Sequence, residues 1–565
     1  EEAAKPDRTG PDEVILDKVR RFHSLLRDGK SRGVDTSEAE KLDMQSREAA
    51  QGGDMKEAER LLDKAIELLE AQKQAPVEDA GTDPSEDGGT DPSDPGPGTA
   101  KTGQAASSRE VRLRTAAARV EVVSALPAGE TGSAKREEQQ FARATVTAEQ
   151  NTVKIDANTD PVWVVEGPLP EKKTLAPDRS PFGFHPASTP GDNYDCAGET
   201  GVTWDRGGLY VVWVFGQPDP GVEKYDWTTF DDYFKKIPAD MLPLKNITIA
   251  MDPMVRLPGR PQVPEAKGRR EVDVSKHLEG TTYRPKDKEK YARWVRAAVE
   301  RYDGDGKDDM PGLSVAAKHW QADNEPPRGR EGYADFVRIT SVAIKDADAD
   351  AKVLVGGLVP PFGGGMARAY EKESLPILKD LAGKHLDILD FHWFGYAGEW
   401  KLAGEGLARI RKDLRACGFE AAMPIWFTEM GTSSGTPAGR PGRPAPEQSE
   451  RIQASEMVKR YSVLLGEGVE KIFWAWGMME GFGDPRDNDF FDNTGFVYDG
   501  IGPGDSGKGV KKMVYWAHQK MSQLLQYWDG SRPEKVDVGA GAVAYRFKFT
   551  KDSDRGIVVV WTEGP

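Results

Sequence analysis

Apolar residues recur at helical spacing in two stretches near the start of the chain. They are Val14, Ile15, Val19, Phe22, Leu25 and Leu26, then Ala58, Leu61, Leu62, Ala65, Leu68 and Leu69, a pattern that predicts amphipathic helices. Ser37 with Glu40 and Asp54 with Glu57 have capping-box spacing, and Gly52-Gly53 separates the second helix from the third. Residues 1–73 are therefore expected to form a small three-helix module. The periodicity vanishes over 74–108, where Gly, Pro, Asp, Ser and Thr dominate and Gly-Thr-Asp-Pro-Ser occurs at 81–85 and 89–93. That is the composition of a flexible, solvated linker. Short β-like runs follow at 111–113, 118–123, 141–148 and 161–165, and others at 543–549 and 556–561. Neither set alone has strands enough for a stable sandwich, so 109–170 and 534–565 are expected to pair into one β-domain.

Between 180 and 530 the rhythm changes to strand, helix, strand, helix. Eight apolar runs, 181–185, 201–206, 246–252, 317–324, 352–357, 386–394, 424–429 and 471–477, read as buried strands. Helical patterns lie among them at 288–301, 333–347, 404–417 and 449–465. The alternation predicts an α/β fold, a (β/α)8 TIM barrel of roughly 350 residues with its active site at the strand C-termini.

Composition narrows the partners. A net charge of −16 over 565 residues disfavours nucleic acid and anionic membrane surfaces, which need a basic face. A neutral substrate fits better. The 14 tryptophans and 15 tyrosines suit a sugar binder, since flat aromatic faces pack on pyranose rings, although large cores use Trp equally well. Two cysteines, Cys196 and Cys417, allow neither a disulfide framework nor a Cys-based zinc site, and both are expected to be buried. No apolar run reaches the roughly 18 residues of a membrane span. The chain begins Glu1-Glu2-Ala3-Ala4, which is read as a processed mature form or a truncated one, with a secreted or periplasmic location expected.

Two runs carry the chemistry. His319-Trp320-Gln321-Ala322-Asp323-Asn324-Glu325-Pro326 and Pro424-Ile425-Trp426-Phe427-Thr428-Glu429-Met430-Gly431 each lead an apolar strand into a glutamate, on the fourth and seventh strands. Two carboxylates at the ends of different buried strands are what glycosidic bond hydrolysis needs, one to protonate the leaving oxygen and one to attack or to activate water.

Asn324-Glu325-Pro326 and Thr428-Glu429, placed on those strands, resemble the retaining glycoside hydrolases of clan A, families 39 and 5 above all, over about residues 180–565. The resemblance implies Glu325 as acid/base and Glu429 as nucleophile, with no cofactor and no metal. It further implies Arg206 as the brace of the nucleophile, His392 as a residue orienting the nucleophile or touching sugar, and Trp476 as the floor of the reactive subsite. Asn324 is expected to bond the sugar 2-hydroxyl, and His185 to contact the same sugar. Trp320, Pro326 and the charge of Glu429 are expected to raise the pKa of Glu325.

After strand eight, Glu480, Asp484, Arg486, Asn488 and Asp489 crowd one loop, either to grip hydroxyls or as a solvated charged loop. Asp303-Gly304-Asp305-Gly306-Lys307-Asp308-Asp309 looks like a calcium loop but lacks the bidentate Glu, and a turn is expected. The expected activity is cleavage of β-glycosidic bonds in a carbohydrate substrate. The alternatives are transglycosylation on the same fold or a non-catalytic carbohydrate-binding or scaffold protein whose helical module engages another protein or a cell surface.

Overall fold

The computed structural model describes Met55–Gln74 with scattered residues between 18 and 54, and then residues 109–129, 141–191, 193–251, 254–255, 273–326, 330–439, 445–481, 488–502 and 504–563. The chain divides into two compact units, Glu1–Lys101 and Thr102–Pro565. In the first unit the helix α1 (Met55–Gln74) is capped by Asp54, whose Oδ1 accepts from Glu57 N–H at 3.1 Å. Its apolar stripe of Leu61, Leu62, Ala65, Ile66 and Leu69 joins Phe22, Ala39 and Leu42 in a small core. The expected linker lies outside the described residues apart from Gln74.

The second unit contains the barrel. Its strands are β6 (Phe182–His185), β7 (Trp204–Asp205), β9 (Leu242–Thr248), β10 (His319–Ala322), β11 (Lys352–Val355), β12 (Leu389–Phe394), β13 (Ile425–Gly431) and β14 (Lys471–Ala475), with β8 (Val211–Val212) as an extension beside β9. They pair in parallel in the order β11-β10-β9-β7-β6-β14-β13-β12, and the bridges Leu354–Ile388 and Leu358–Phe391 close β11 onto β12. This is a (β/α)8 barrel. Helices Lys288–Tyr302, Tyr333–Ala347, Ala403–Ala416 and Glu450–Gly466 wrap it. Asp287 and Ser449 cap the first and last, accepting from Lys290 and Ile452 N–H at 3.0 and 3.2 Å. The third barrel strand begins four residues before the expected run, because Pro243, which reads as a breaker, is tolerated near a strand start where its missing N–H costs little.

Beside the barrel, β2 (Arg119–Ser124), β3 (Arg143–Thr147), β5 (Val162–Glu166), β15 (Glu534–Lys535), β16 (Ala542–Lys548) and β17 (Gly556–Thr562) form one sheet in the order β15-β16-β17-β5-β2-β3. A second sheet pairs β1 (Arg109–Arg114) with β4 (Thr152–Ala157); β4 was not foreseen. The two-residue period of the strands sorts the six-stranded sheet into two faces. Trp163, Val165, Ile557, Val559 and Trp561 join the barrel core, whereas Val164, Val558, Val560 and Ala544 pack with Val111, Leu113, Val153 and Ile155 of the small sheet. No described helix is long and apolar enough to cross a membrane.

A buried pair ties β16 to β5 across the intervening β17. Arg546 donates from Nε and Nη2 to Glu166 Oε2 and Oε1, both at 2.9 Å, and Gly556 N–H adds a bond at 2.9 Å. Arg546→Met leaves a fully buried carboxylate without its cation, so a loss of about 3–5 kcal/mol is expected in urea unfolding. A loss under about 1 kcal/mol would show that the pair is not holding the strands.

Candidate active site

The site is built at the C-terminal ends of the barrel strands. Directly after β10 the backbone turns through two left-handed residues, Asp323 at φ +65° and Glu325 at φ +42°, a conformation that persists only where surroundings enforce it. Asp323 N–H donates to Ile247 O at 2.9 Å, and Glu325 N–H to Gly356 O at 2.6 Å. Asn246 Nδ2 donates to Asp323 O at 2.9 Å. A Cβ at Gly356 would lie 2.6 Å from Ala322 O, so only glycine allows β10 and β11 to meet there.

On β13 the register slips. Phe391 pairs with Phe427 and His392 with Glu429, which leaves Thr428 as an extra residue. Such a bulge re-aims side chains, and here both Thr428 and Glu429 are fully buried.

Arg206, buried completely at the end of the second strand, donates from Nη1 to Glu429 Oε1 at 2.7 Å and from Nε to Gln321 Oε1 at 2.7 Å. Its Nη2 donates to Asn324 Oδ1. Gln321 Nε2 donates to Asp390 Oδ2, which also accepts from Thr428 Oγ1 at 2.8 Å and Gly357 N–H at 3.0 Å. Thr428 Oγ1 lies 3.0 Å from His392 Nε2, and His392 Nδ1 lies 2.8 Å from Glu325 Oε1. A continuous hydrogen-bonded chain thus runs from Glu429 through Arg206, Gln321, Asp390, Thr428 and His392 to Glu325.

This chain assigns a tautomer. Thr428 has one hydroxyl proton, and it goes to Asp390, so Thr428 must accept from His392 and the proton belongs on Nε2. Glu325 and His392 Nδ1 then share one further proton. Although burial works against an imidazolium, the charges of Glu429, Glu325 and Asp390 lift His392 above its ordinary value.

The two glutamates differ in environment. Burial raises the pKa of Glu429 against the opposing charges of His392 and Arg206. Its Oε2 has no hydrogen-bond partner among the described residues, whereas Oε1 is held by Arg206. For Glu325 the expected rise is overturned. Burial pushes its carboxyl up, but the hydrogen bond and charge of His392, with Arg206, bring it below the usual range. Its side chain is 55% exposed, and Trp320, expected beside it, lies in the core between strands and helices. A carboxylate oxygen of each glutamate and a His392 nitrogen lie within 4.8 Å of one another. Three such ligands are enough to touch a cation, yet the Arg206 guanidinium already supplies positive charge to Glu429.

His185, which ends β6, donates from Nδ1 to Arg206 O and places Nε2 3.6 Å from Glu429 Oε1. Burial and the Arg206 charge hold it far below its ordinary pKa, so it is neutral. Trp476, half-buried just past β14, lies edge-on to His185 with ring centroids 5.8 Å apart. Glu480 does not join this group. Its carboxylate is buried against Lys512 Nζ in an ion pair, and burial raises it to about 7 with Lys512 opposing. Asp484 and Arg486 lie outside the described residues. Asp303, Asp305 and Asp309 form a turn, since Asp309 accepts from Gly304 and Gly306 N–H at 3.0 and 2.8 Å and Asp305 from Lys307 N–H at 2.8 Å. Cys417 is buried as expected, but Cys196 is only half-buried.

Four residues of the site were not singled out from sequence: Gln321, Asp390, Asn246 and Tyr210. The first three had a legible signal, a polar side chain inside a buried barrel strand, which must find partners there. Tyr210 had none. It lies outside any strand, and the Arg206 guanidinium carbon stands 6.0 Å from its ring centroid.

No protein-family model matches the chain, and no curated protein matches it. Among solved structures it is similar to a family 39 glycoside hydrolase from the gut symbiont Bacteroides cellulosilyticus WH2, at 15% identity over 80% of this chain and 86% of that one, TM-score 0.46. It is also similar to a glucosidase from Croceicoccus marinus, at 17% identity over 65% and 72%, TM-score 0.43. A family 1 β-glucosidase from Thermotoga maritima matches at 13% identity over 58% and 84%, TM-score 0.36. At these scores the likenesses say nothing of activity or substrate.

Because Glu325 helps to hold the proton on His392, Glu325→Gln is expected to lower the His392 pKa. Histidine NMR titration checks this, and an unchanged His392 would mean that the 2.8 Å contact is absent in solution.

Proposed function

We propose that the chain is a retaining β-glycosidase that cleaves an oligo- or polysaccharide by double displacement. The observation that carries the reading is Glu429 itself: one oxygen is fixed by a buried guanidinium, the other is unpartnered, and a Glu325 oxygen lies within 4.8 Å. Retaining enzymes hold their carboxyl groups about 5–5.5 Å apart, whereas inverting ones leave about 6.5–9.5 Å for a water. The short separation supports the retaining course.

In the first step Glu429 Oε2 attacks the anomeric carbon and forms an ester as the glycosidic C–O bond breaks. The leaving oxygen takes the proton that Glu325 shares with His392. In the second step Glu325, now a base, removes a proton from water, whose oxygen attacks the anomeric carbon and frees Glu429. Arg206 keeps Oε1 anchored throughout, and its hold on Asn324 Oδ1 leaves the Asn324 amide N–H groups free to donate to a sugar hydroxyl, a bond that strengthens as charge develops. Trp476 offers a ring beside this position.

Product release from a panel of polysaccharides and aryl β-glycosides tests the reading. Glu429→Gln is expected to abolish turnover with the fold intact. Glu325→Ala should lower turnover of substrates with poor leaving groups by ~10²–10⁴-fold, with azide restoring it on activated aryl glycosides. Full activity of Glu325→Ala on natural substrates would remove Glu325 from its role.

Burial raises Glu429, and only its ionised form attacks. Activity should therefore fall, as pH drops, at a value above the ordinary carboxylate range. A low-pH limb of kcat/KM near the unperturbed glutamate value of about 4.3 would contradict this.

A further inference from the structure

A cavity of about 550 Å³ lies at the opposite end of the barrel, among the first residues of the strands. Its floor is Trp204 of β7, His319 of β10 and Trp426 of β13, with Lys471 of β14 beside them. It is far from the proposed chemistry along the strands, and nothing in the double displacement uses these groups.

Lys471 is the anomaly. It is only 6% exposed, and among the described residues it has no ion pair or hydrogen bond. Its ammonium lines the cavity and, among the described residues, has no anion within ion-pair distance, which disfavours the charged form in a site so little exposed. Two indole faces offset part of that, with Nζ 5.3 Å from the Trp204 centroid and 5.8 Å from that of Trp426. The acids nearby are engaged elsewhere or weakly placed. Asp387 pairs with Lys345 at 3.0 Å, and Glu470 accepts from Trp426 Nε1 at 3.4 Å. Asp178 and Arg179 act on Lys471 in opposite directions, and Lys352 adds a further cation to the lining.

The rings restrict what accompanies the anion. His319 and Trp426 stack at 5.2 Å, too close to admit a third ring, and Trp204 stands at 87° and 73° to them. The cavity therefore offers a one-sided aromatic wall rather than a slot for a flat base.

We infer that this cavity binds a small ring compound carrying one carboxylate, a sugar acid or an aromatic acid, with the carboxylate on Lys471 and the ring against the Trp204, His319 and Trp426 wall. Burial pulls Lys471 down to about 8 against Glu470 and Asp178, with Arg179 adding to the fall. His319, held at about 4 by burial with Lys471 and Lys352 adding to the fall, is neutral at pH 7. The anion needs the protonated Lys471, so affinity falls as pH rises through about 8.

Calorimetric titration of the full chain with glucuronate and with benzoate tests this, with glucose and inorganic phosphate as controls. One or both acids should bind one-to-one at pH 7, at least tenfold more weakly at pH 9.5, and at least tenfold more weakly to Lys471→Met; which acid binds separates the two sources. Lys471→Met removes a buried charge and should melt no lower than wild type. If it nevertheless fails to fold, Lys352→Ala at the exposed rim should weaken binding about threefold. Silence of both acids, binding of phosphate or glucose as tight as either acid, or acid binding that survives Lys471→Met unchanged and so belongs to the catalytic end, would overturn the inference.

Discussion

Arg206 puts a guanidinium wholly inside the barrel, and the polar interior is arranged around it. Two charges out of water are stabilised only when geometry is close and remaining donors are satisfied. Here Glu429, Gln321 and Asn324 each take one of its bonds. Those residues come from β13, β10 and the turn after β10, so one cation fixes the relative placement of the strands that carry both glutamates. It also leaves Glu429 with one anchored oxygen and one unpartnered oxygen.

The same logic extends around the barrel. Gln321 passes the constraint to Asp390, Asp390 to Thr428, and Thr428 sets the tautomer of His392, which faces Glu325. Glycine at 357 is part of the arrangement, since a Cβ there would lie 2.2 Å from His392 Nε2. The two ends of the barrel are therefore chemically unlike. The C-terminal end is a hydrogen-bonded polar chain that ends in two carboxylates, whereas the N-terminal end is an aromatic layer beside an ammonium that has no ion pair among the described residues.

Element by element, the strongest periodic segments were legible and the ambiguous ones were not. The helix at 333–347 was read with its observed bounds, and the helical run read at 449–465 lies within one residue of the observed Glu450–Gly466 at each end. The start of β9 was missed because Pro243 is a breaker only when its N–H is needed. The strand β4 was missed because Thr152, Lys154 and Asp156 dilute a short alternation that makes sense only once β1 pairs with it.

Eight apolar runs among helices determined the barrel, and two glutamates at the fourth and seventh strand ends, with Arg206, His392, Asn324 and His185, marked one cluster of side chains that the fold brings together. Strand periodicity and strand number are local properties, so sequence carries them. The protonation of Glu325 is not local. His392 reaches it from another strand, and that contact, not the apolar neighbours in the sequence, sets the direction of its pKa. The bulge that turns Thr428 and Glu429 inward together, the diversion of Glu480 to Lys512, and the orphaned Lys471 likewise arise from packing between segments far apart in the chain. Only the folded barrel brings those charges within range of one another, and charge interactions depend on distance rather than on order along the chain.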